Sequence, residues 1–154
     1  MLAQTQAGIG GLSSTGNRLA ARNSPPLTEK SPARVLVVDD EALVRWSVSE
    51  TLTDQGYEVA EASDGASAIR ALSAARHADV VLLDLRLPDC DDLRVLSAVR
   101  RLVPTTPVIV MTAFGSPESL REARRLGAFA FLDKPFEMDA LVPLVEHALD
   151  SHPR

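Results

Sequence analysis

Five polar residues lie at or just after the ends of short apolar runs: Asp39, Asp40, Asp84, Thr112 and Lys134. Carboxylate oxygens suit Mg²⁺, which takes about six oxygen ligands at roughly 2.0–2.1 Å. A carboxylate can also act as a nucleophile and form an acyl phosphate. Hydroxyl and ammonium groups can stabilise the oxygens of a transferring phosphoryl group. These residue types therefore point to magnesium-assisted phosphoryl chemistry, provided that the residues meet in space.

Taken singly, each of these residues has an ordinary structural explanation. A pair of aspartates after a strand is typical of a turn or of a helix N-cap. A threonine often ends a strand, and a lysine before a proline, such as Lys134 before Pro135, is more often a surface residue. A chemical role becomes the better explanation only in a fold that brings the strand ends together.

From Ala33 onward, short apolar runs alternate with amphipathic stretches. The runs predict strands at Val35–Val38, Tyr57–Ala62, Val80–Leu83, Val108–Met111 and Ala128–Leu132. Apolar residues at helical spacing predict helices at Ala42–Gln55, Ala66–Ala75, Leu93–Val103, Pro117–Leu126 and about Met138–Leu149. Gly56 and Gly127 suit helix ends, and Ser116 suits an N-cap ahead of Pro117. This alternation indicates an α/β fold in which right-handed crossovers build a parallel sheet covered on both faces.

The carboxyl ends of the strands in an open parallel sheet border the functional cleft. The predicted fold places six side chains there: Asp39, Asp40, Glu41, Asp84, Thr112 and Lys134. Crowded carboxylates repel one another, and their pKa values rise unless a cation lies among them. The arrangement therefore favours a Mg²⁺ site beside a phosphate-accepting carboxylate, Asp84.

The composition is that of an ordinary soluble globular protein, with 45% hydrophobic and 24% charged residues. The net charge of −5 argues against nucleic-acid binding through bulk charge. Cys90 is the single cysteine, so an intramolecular disulfide is excluded and a reducing compartment fits. No apolar run approaches the roughly 20 residues of a membrane span. We therefore expect a cytoplasmic protein.

Residues 1–32 differ in composition from the remainder. They are rich in Gly, Ser, Thr, Ala and Asn and show no apolar periodicity, which is typical of a disordered tail. Arg18, Arg22 and Lys30 outweigh Glu29, so this segment carries a net +2 and the remainder −7. The predicted organisation is a tail at 1–32, a folded domain at 33–150 and a short tail at 151–154.

Four segments resemble the receiver domain of two-component response regulators. They are VLVVDDE (Val35–Glu41), VLLDLRLPD (Val81–Asp89), VIVMTA (Val108–Ala113) and FLDKPF (Phe131–Phe136), in the family's order and spacing. A finer resemblance, carried by VRW (Val44–Trp46) and TAFGSPES (Thr112–Ser119), is to receivers of nitrogen-regulation-type enhancer-binding activators. The resemblance implies a flavodoxin-like doubly wound sheet of five parallel strands in the order 2-1-3-4-5, with five helices.

The resemblance also implies roles for individual residues. Asp84 stands where the family has its phosphoacceptor, which is also a metal ligand. Asp40 matches the direct Mg²⁺ ligand, and Asp39 matches the acid that usually acts through water. Arg86 matches the position that lends its backbone carbonyl to the metal.

A second group of matching residues concerns phosphate binding and switching. Thr112 and Lys134 match the switch hydroxyl and the phosphate-binding lysine. Phe131 matches the aromatic residue that rotates when the hydroxyl moves. The Lys134–Pro135 peptide is often cis in this family, and an X–Pro bond is where a cis peptide costs least.

The partners that the resemblance implies are proteins. A histidine kinase or phosphotransfer protein would supply the phosphoryl group, and a separate effector would read the fourth helix, fifth strand and fifth helix. The chain ends at Arg154 without an ATPase or helix-turn-helix domain, so we expect a single-domain response regulator without direct nucleic-acid or membrane contact. A phosphorylation-dependent homodimer is left open. Its only expected catalysis is its own phosphorylation and dephosphorylation.

Two residues depart from the family pattern. Asp92 stands where the family usually has glycine, and aspartate tolerates left-handed backbone less well. The loop beside Asp84, and the lifetime of its phosphorylated state, are therefore open. Pro143 lies in the last predicted helix, where it costs little near the first turn and kinks the helix farther along.

Two alternative functions remain compatible with the sequence. A receiver fold that has lost switching would act as a phosphorylation-independent interaction module. A Mg²⁺-dependent phosphatase is compatible with an aspartate nucleophile after a buried strand. The phosphatase is disfavoured because Arg86 stands where its general acid would be, two residues after Asp84, and no cap domain is evident.

Overall fold

The computed structural model of the chain describes residues 30–75, 77–87, 92–113 and 115–154. Its strands are β1 (Arg34–Val38), β2 (Glu58–Ala62), β3 (Val80–Asp84), β4 (Val108–Thr112) and β5 (Ala130–Asp133). Its helices are α1 (Ala42–Asp54), α2 (Gly65–Ala75), α3 (Asp92–Leu102), α4 (Pro117–Arg125) and α5 (Met138–Ser151). The predicted order of elements is confirmed, and each boundary falls within two residues of its predicted place.

The five strands form one parallel sheet in the order β2-β1-β3-β4-β5, as the family resemblance implies. Val38 pairs with Leu83, so the residues after β1 lie beside the end of β3. Asp84 in turn pairs with Met111, one residue before the end of β4. The register therefore brings the carboxyl ends of the three central strands to the same edge.

Apolar side chains cover both faces of this sheet. Leu36 and Val38 of β1 belong to the core layer under α2, α3 and α4. Val35 and Val37, which alternate with them, belong to the layer under α1 and α5. The central strands β3 and β4 are buried at all five positions. Covering on both faces is why these strands are continuous apolar runs in the sequence.

The predicted signals at the ends of helices are confirmed at three places. Gly56 follows α1 with φ +93° and Gly127 follows α4 with φ +101°, a region that glycine enters without steric cost. Ser116 caps α4, because its hydroxyl oxygen accepts a hydrogen bond from the Ser119 N–H at 3.1 Å. Pro117 is the first residue of that helix.

Pro143 lies inside α5 rather than in its first turn. The helix begins at Met138, with Glu137 as N-cap, so Pro143 is its sixth residue. At that position the missing proline N–H leaves the Asp139 carbonyl without its helical donor. The helix nevertheless continues to Ser151, with Leu141, Val145 and Ala148 buried beneath it. Burial of these side chains therefore keeps α5 helical beyond Pro143.

Some predictions lie outside the described residues. They concern the disordered tail over residues 1–29, Cys90, and the loop at 88–91 together with the side chain of Asp92. Asp92 is described only as the first residue of α3. Within the described ranges, no helix combines the length and the apolar character needed to cross a membrane.

Candidate functional site

Three polar side chains are buried where the central strands end. Asp39 is fully buried, and Asp84 and Thr112 are each only 4% exposed. Among the described residues, the one other polar residue that is buried as a whole, backbone included, is Thr106, near the opposite edge. Burying a carboxylate is costly unless it is paired and hydrogen-bonded, so the partners of Asp39 and Asp84 decide what the site is.

Lys134 is the partner that the two buried carboxylates share. Its Nζ lies 2.6 Å from Oδ2 of Asp39 and 3.1 Å from Oδ2 of Asp84. A third carboxylate oxygen, Oε1 of the exposed Glu41, is 3.5 Å away. The backbone fixes this placement, because the Lys134 N–H donates to the Thr112 carbonyl at 2.8 Å and so extends the β4–β5 pairing. The following peptide, Lys134–Pro135, is cis, as expected.

Backbone groups orient the remaining carboxylate oxygens. The Glu41 N–H donates to Oδ1 of Asp39, and the Arg86 N–H donates to Oδ1 of Asp84, each at 2.9 Å. The guanidinium of Arg45 on α1 also donates to the Asp39 carbonyl at 2.7 Å. Each buried carboxylate therefore has one oxygen held by the backbone and one turned to the lysine, which fixes both side chains in place.

The shared lysine leaves this edge short of positive charge. Burial raises the pKa of Asp84, and the nearby charge of Asp39 raises it further, although the Arg86 N–H and Lys134 act in the opposite direction. Burial alone would lower the pKa of Lys134, but its bonds to Asp39 and the charges of Asp84 and Asp39 raise it overall. The raised pKa of Lys134 means that the lysine stays protonated. The raised pKa of Asp84 means that its carboxyl group ionises less readily than an exposed aspartate does.

A divalent cation fits the residues at this edge. Asp39, Asp40 and Glu41 each offer a carboxylate oxygen, and these atoms all lie within 4.8 Å of one another. Opposite oxygens around Mg²⁺ are separated by about 4 Å, so this spacing and the all-oxygen donor set suit that ion. Glu41 was expected at this edge but not among the ligands. Asp84 is not part of this group of oxygens, and Asp84 and the Arg86 carbonyl remain predicted ligands.

Phe131 lies on the β5 side of the site. It pairs with Val110 of β4 and packs, half-buried, against the core layer beneath α4. The guanidinium of Arg124, at the end of α4, lies 5.4 Å from the centre of the Phe131 ring. The two predicted switch residues, Thr112 and Phe131, therefore occupy paired neighbouring strands that lead to Lys134.

Three residues near the site were not identified from the sequence: Arg45, Gly115 and Arg124. Arg45 reaches Asp39 from the next helix. A Cβ on Gly115 would lie 2.9 Å from Cδ2 of Leu120 and 3.2 Å from Oγ1 of Thr112, so a larger residue here would crowd the Thr112 hydroxyl. Arg124 contacts the Phe131 ring from the end of α4. Only the small size of glycine was visible in the sequence, since the other two contacts depend on how helices cross the sheet.

The sequence profile of the response regulator receiver domain matches residues 35–146. The chain belongs to the response regulator receiver domain family. The matched range runs from the second residue of β1 through β5 and contains all the residues of the site described above. Receiver domains are signalling modules. The match to the family covers most of the chain and not only the four short segments that resemble it.

Similar curated proteins are named as regulatory proteins, two of them as transcriptional regulators. The Escherichia coli regulatory protein AtoC is 43% identical over 116 residues, which are 75% of this chain and 25% of AtoC. The Escherichia coli DNA-binding transcriptional regulator NtrC is 37% identical, over 77% of this chain and 25% of NtrC. Mycobacterium tuberculosis PdtaR is 38% identical, over 77% of this chain and 57% of PdtaR. The receiver thus spans between a quarter and just over half of these relatives.

Similar solved structures are receivers as well. The Vibrio cholerae chemotaxis protein CheY4 superposes with a TM-score of 0.72 at 37% identity, over 77% of this chain and 99% of CheY4. The receiver domain of NtrX from Brucella abortus superposes with a TM-score of 0.71 at 36% identity, over 76% of this chain and 98% of that domain. Both likenesses support the CheY-like fold. The likeness to the NtrX receiver agrees with the predicted similarity to nitrogen-regulation receivers.

Proposed function

We propose that this receiver is a response regulator of a two-component phosphorelay, phosphorylated on Asp84 in a Mg²⁺-dependent reaction. The observation that carries the proposal is the sharing of Lys134 by two buried carboxylates, Asp39 and Asp84. A structural aspartate would have its own counter-charge. Here the ammonium lies where it can pair with an incoming phosphoryl group, and three acidic residues lie where a cation can bind.

The reaction assigns a part to each residue of the site. A carboxylate oxygen of Asp84 forms a bond to phosphorus as the bond from phosphorus to the donor nitrogen breaks, and the donor histidine leaves. Bound Mg²⁺ would neutralise charge on the phosphoryl oxygens. Asp39 and Asp40, with Asp84 and the Arg86 carbonyl, would hold that ion. The Thr112 hydroxyl and the Lys134 ammonium would each meet one phosphoryl oxygen.

The phosphoryl group would then change the surface of the domain. Phosphorylation adds about −1.5 to −2 charges, and Lys134 and Thr112 would move toward the new oxygens. In this proposal Phe131 follows the Thr112 hydroxyl, and a separate effector protein reads the resulting change on α4, β5 and α5. The effector, the kinase or phosphotransfer protein and a cytoplasmic location belong to the proposal, as do the domain limits of 33–150 and the tails on either side.

Mass spectrometry of the intact full chain tests the proposal. The protein is incubated with Mg²⁺ and acetyl phosphate, a small acyl phosphate donor, and the fraction carrying one phosphoryl group is measured. Asp84→Asn should abolish the modification, and chelating Mg²⁺ should do the same. Asp79→Asn is the matched control because Asp79 lies just before the other end of β3 and has its own structural partners. Equal modification of wild type and Asp84→Asn would refute the proposal.

A further inference from the structure

Arg124 makes a contact that the mechanism above does not use. Its guanidinium lies 5.4 Å from the centre of the Phe131 ring, within the roughly 6 Å over which a cation and an aromatic face attract each other. Arg124 is exposed in the last turn of α4, while Phe131 is the half-buried second residue of β5. The contact therefore ties the end of α4 to a residue on the strand that leads to Lys134.

The position of Arg124 at a helix end does not by itself explain the contact. Cations are favourable in the last turn of a helix, and both Arg124 and Arg125 occupy that turn. Arg125 pairs instead with Glu122 on the same helix, at 3.4 Å, as is usual for residues three apart. Two neighbouring arginines thus share one helix-end environment, but their guanidinium groups contact different groups.

The contact is close to the site through the paired strands. Phe131 pairs with Val110, two residues before Thr112. Three residues after Phe131, the Lys134 N–H donates to the Thr112 carbonyl at 2.8 Å. The Phe131 ring therefore lies in the same short pair of strands as the Thr112 hydroxyl and the Lys134 ammonium. A group that fixes the orientation of the ring can influence the conformation of this pair of strands.

We infer that Arg124 is a positioning residue that holds the Phe131 ring in its present place and so opposes the phosphorylated arrangement of the site. The inference rests on the proposed function of Asp84. A contact made in one of two states shifts their equilibrium by its own free energy. Loss of an exposed cation–π contact should therefore favour the other state by about two- to fivefold.

A double-mutant cycle on the full chain tests this inference. Initial rates of phosphorylation by acetyl phosphate and Mg²⁺ are measured for wild type, Arg124→Gln, Phe131→Leu and the double variant. Arg124→Gln should raise the rate about two- to fivefold and should have no effect in the Phe131→Leu background. Arg124→Lys, which keeps a cation, should restore most of the wild-type rate. Arg125→Gln should behave like wild type because its partner is Glu122.

Fluorine NMR reports on the ring whether or not phosphorylation occurs. The protein is labelled with 4-fluorophenylalanine, and the resonance missing from Phe131→Leu is assigned to Phe131. Arg124→Gln should shift this resonance and Arg125→Gln should leave it in place. An equal rate increase from Arg124→Gln in the Phe131→Leu background, or no increase in either, would overturn the inference.

The two proposals fail in different ways. If phosphorylation is normal and depends on Asp84, but Arg124→Gln leaves its rate unchanged, only the positioning role of Arg124 is contradicted. Wild-type protein that takes up no phosphoryl group contradicts both the proposed function and the inference that rests on it.

Discussion

An aspartate lies at each end of β3, and the two have opposite surroundings. Asp79, just before the strand, accepts the Arg34 N–H at 2.7 Å and donates its own N–H to the Arg34 carbonyl at 2.8 Å. Two side chains also lie 3.8 Å from its carboxylate, the His77 ring and the Arg154 guanidinium. Asp84, at the far end, shares one lysine with Asp39.

The comparison shows that burial of a carboxylate does not by itself mark a functional site. The Asp79 side chain is 8% exposed and the Asp84 side chain 5%, so burial does not separate them. The difference is in how their partners are divided. Asp79 accepts a backbone N–H and lies near His77 and Arg154, whereas Asp84 shares Lys134 with Asp39 and Glu41, and burial raises the pKa of Asp84. The amino edge of the sheet is expected to be structural and the carboxyl edge reactive.

Removing Lys134 should have the largest effect. Lys134→Ala leaves Asp39 and Asp84 buried without their shared cation, which costs about 3–5 kcal/mol in the free energy of unfolding. Urea titration in the presence of chelator measures this loss, and added Mg²⁺ should recover part of it. A loss below about 1 kcal/mol, the range of an exposed ion pair, would show that the carboxyl edge is not short of positive charge.

Gly127 and Gly56 provide a matched pair at the opposite edge. Each has a positive φ, so alanine costs roughly 1–2 kcal/mol in unfolding free energy at either position. A Cβ at Gly127 would also lie 2.8 Å from Nε of Arg100, whose guanidinium binds the carbonyls of Thr106 and Pro104. A Cβ at Gly56 meets nothing within 4 Å.

Gly127→Ala is therefore expected to destabilise the domain by about 3 kcal/mol, since overpacking adds to the backbone strain. Gly56→Ala should show the strain alone. Thermal and urea unfolding measure both, and neither variant should lose phosphorylation at a temperature where it is folded. Equal costs for the two variants would mean that Arg100 moves aside freely.

Substitutions at Asp79 should lower the stability of the domain and leave its phosphorylation unchanged. Asp79→Ala removes the acceptor of the Arg34 N–H, which costs about 2 kcal/mol in the free energy of unfolding. Asp79→Asn keeps an oxygen acceptor and should cost less. The rate of Mg²⁺-dependent phosphorylation should be unchanged in both. A loss of phosphorylation in Asp79→Asn, with folding intact, would break the contrast between the two ends of β3.

The smallest effects concern a threonine near each end of β4. The Thr106 hydroxyl donates to the Ala78 carbonyl at 2.7 Å in a buried position, so Thr106→Val should cost about 1 kcal/mol in unfolding free energy and leave phosphorylation unchanged. Thr112→Val should slow phosphorylation, because it removes a hydroxyl proposed to meet a phosphoryl oxygen. Stability and rate measured on both variants check the contrast, which fails if the rate changes only in Thr106→Val.

Strand ends could be predicted from the sequence because one simple rule governs them. Parallel strands have their carboxyl ends at one edge, so the order of apolar runs was enough to bring Asp39, Asp84 and Thr112 together. The start of β5 was placed two residues too early because its apolar run begins before the strand does. Phe129, in that early part, packs against the rings of His147 and His152, and its N–H donates to the Val108 carbonyl at 2.8 Å just before the strand begins.

Contacts between elements could not be predicted in the same way. The bonds of Lys134 to Asp39 and of Arg45 to the Asp39 carbonyl join residues through the packing of helix and loop on the sheet. The Arg124–Phe131 contact depends on where α4 crosses β5. Neither residue spacing nor apolar periodicity determines such crossings, so the residue types at the site could be anticipated while their partners could not.

The central claim is tested most directly by locating the phosphoryl group. The protein is treated with acetyl phosphate and Mg²⁺, and borohydride then reduces the acyl phosphate to an alcohol, which marks the modified carboxyl group for peptide mass spectrometry. We expect the mark at Asp84, and no mark at Asp79 or in chelator-treated protein. A mark at Asp39, Asp79 or any residue other than Asp84 would contradict the account.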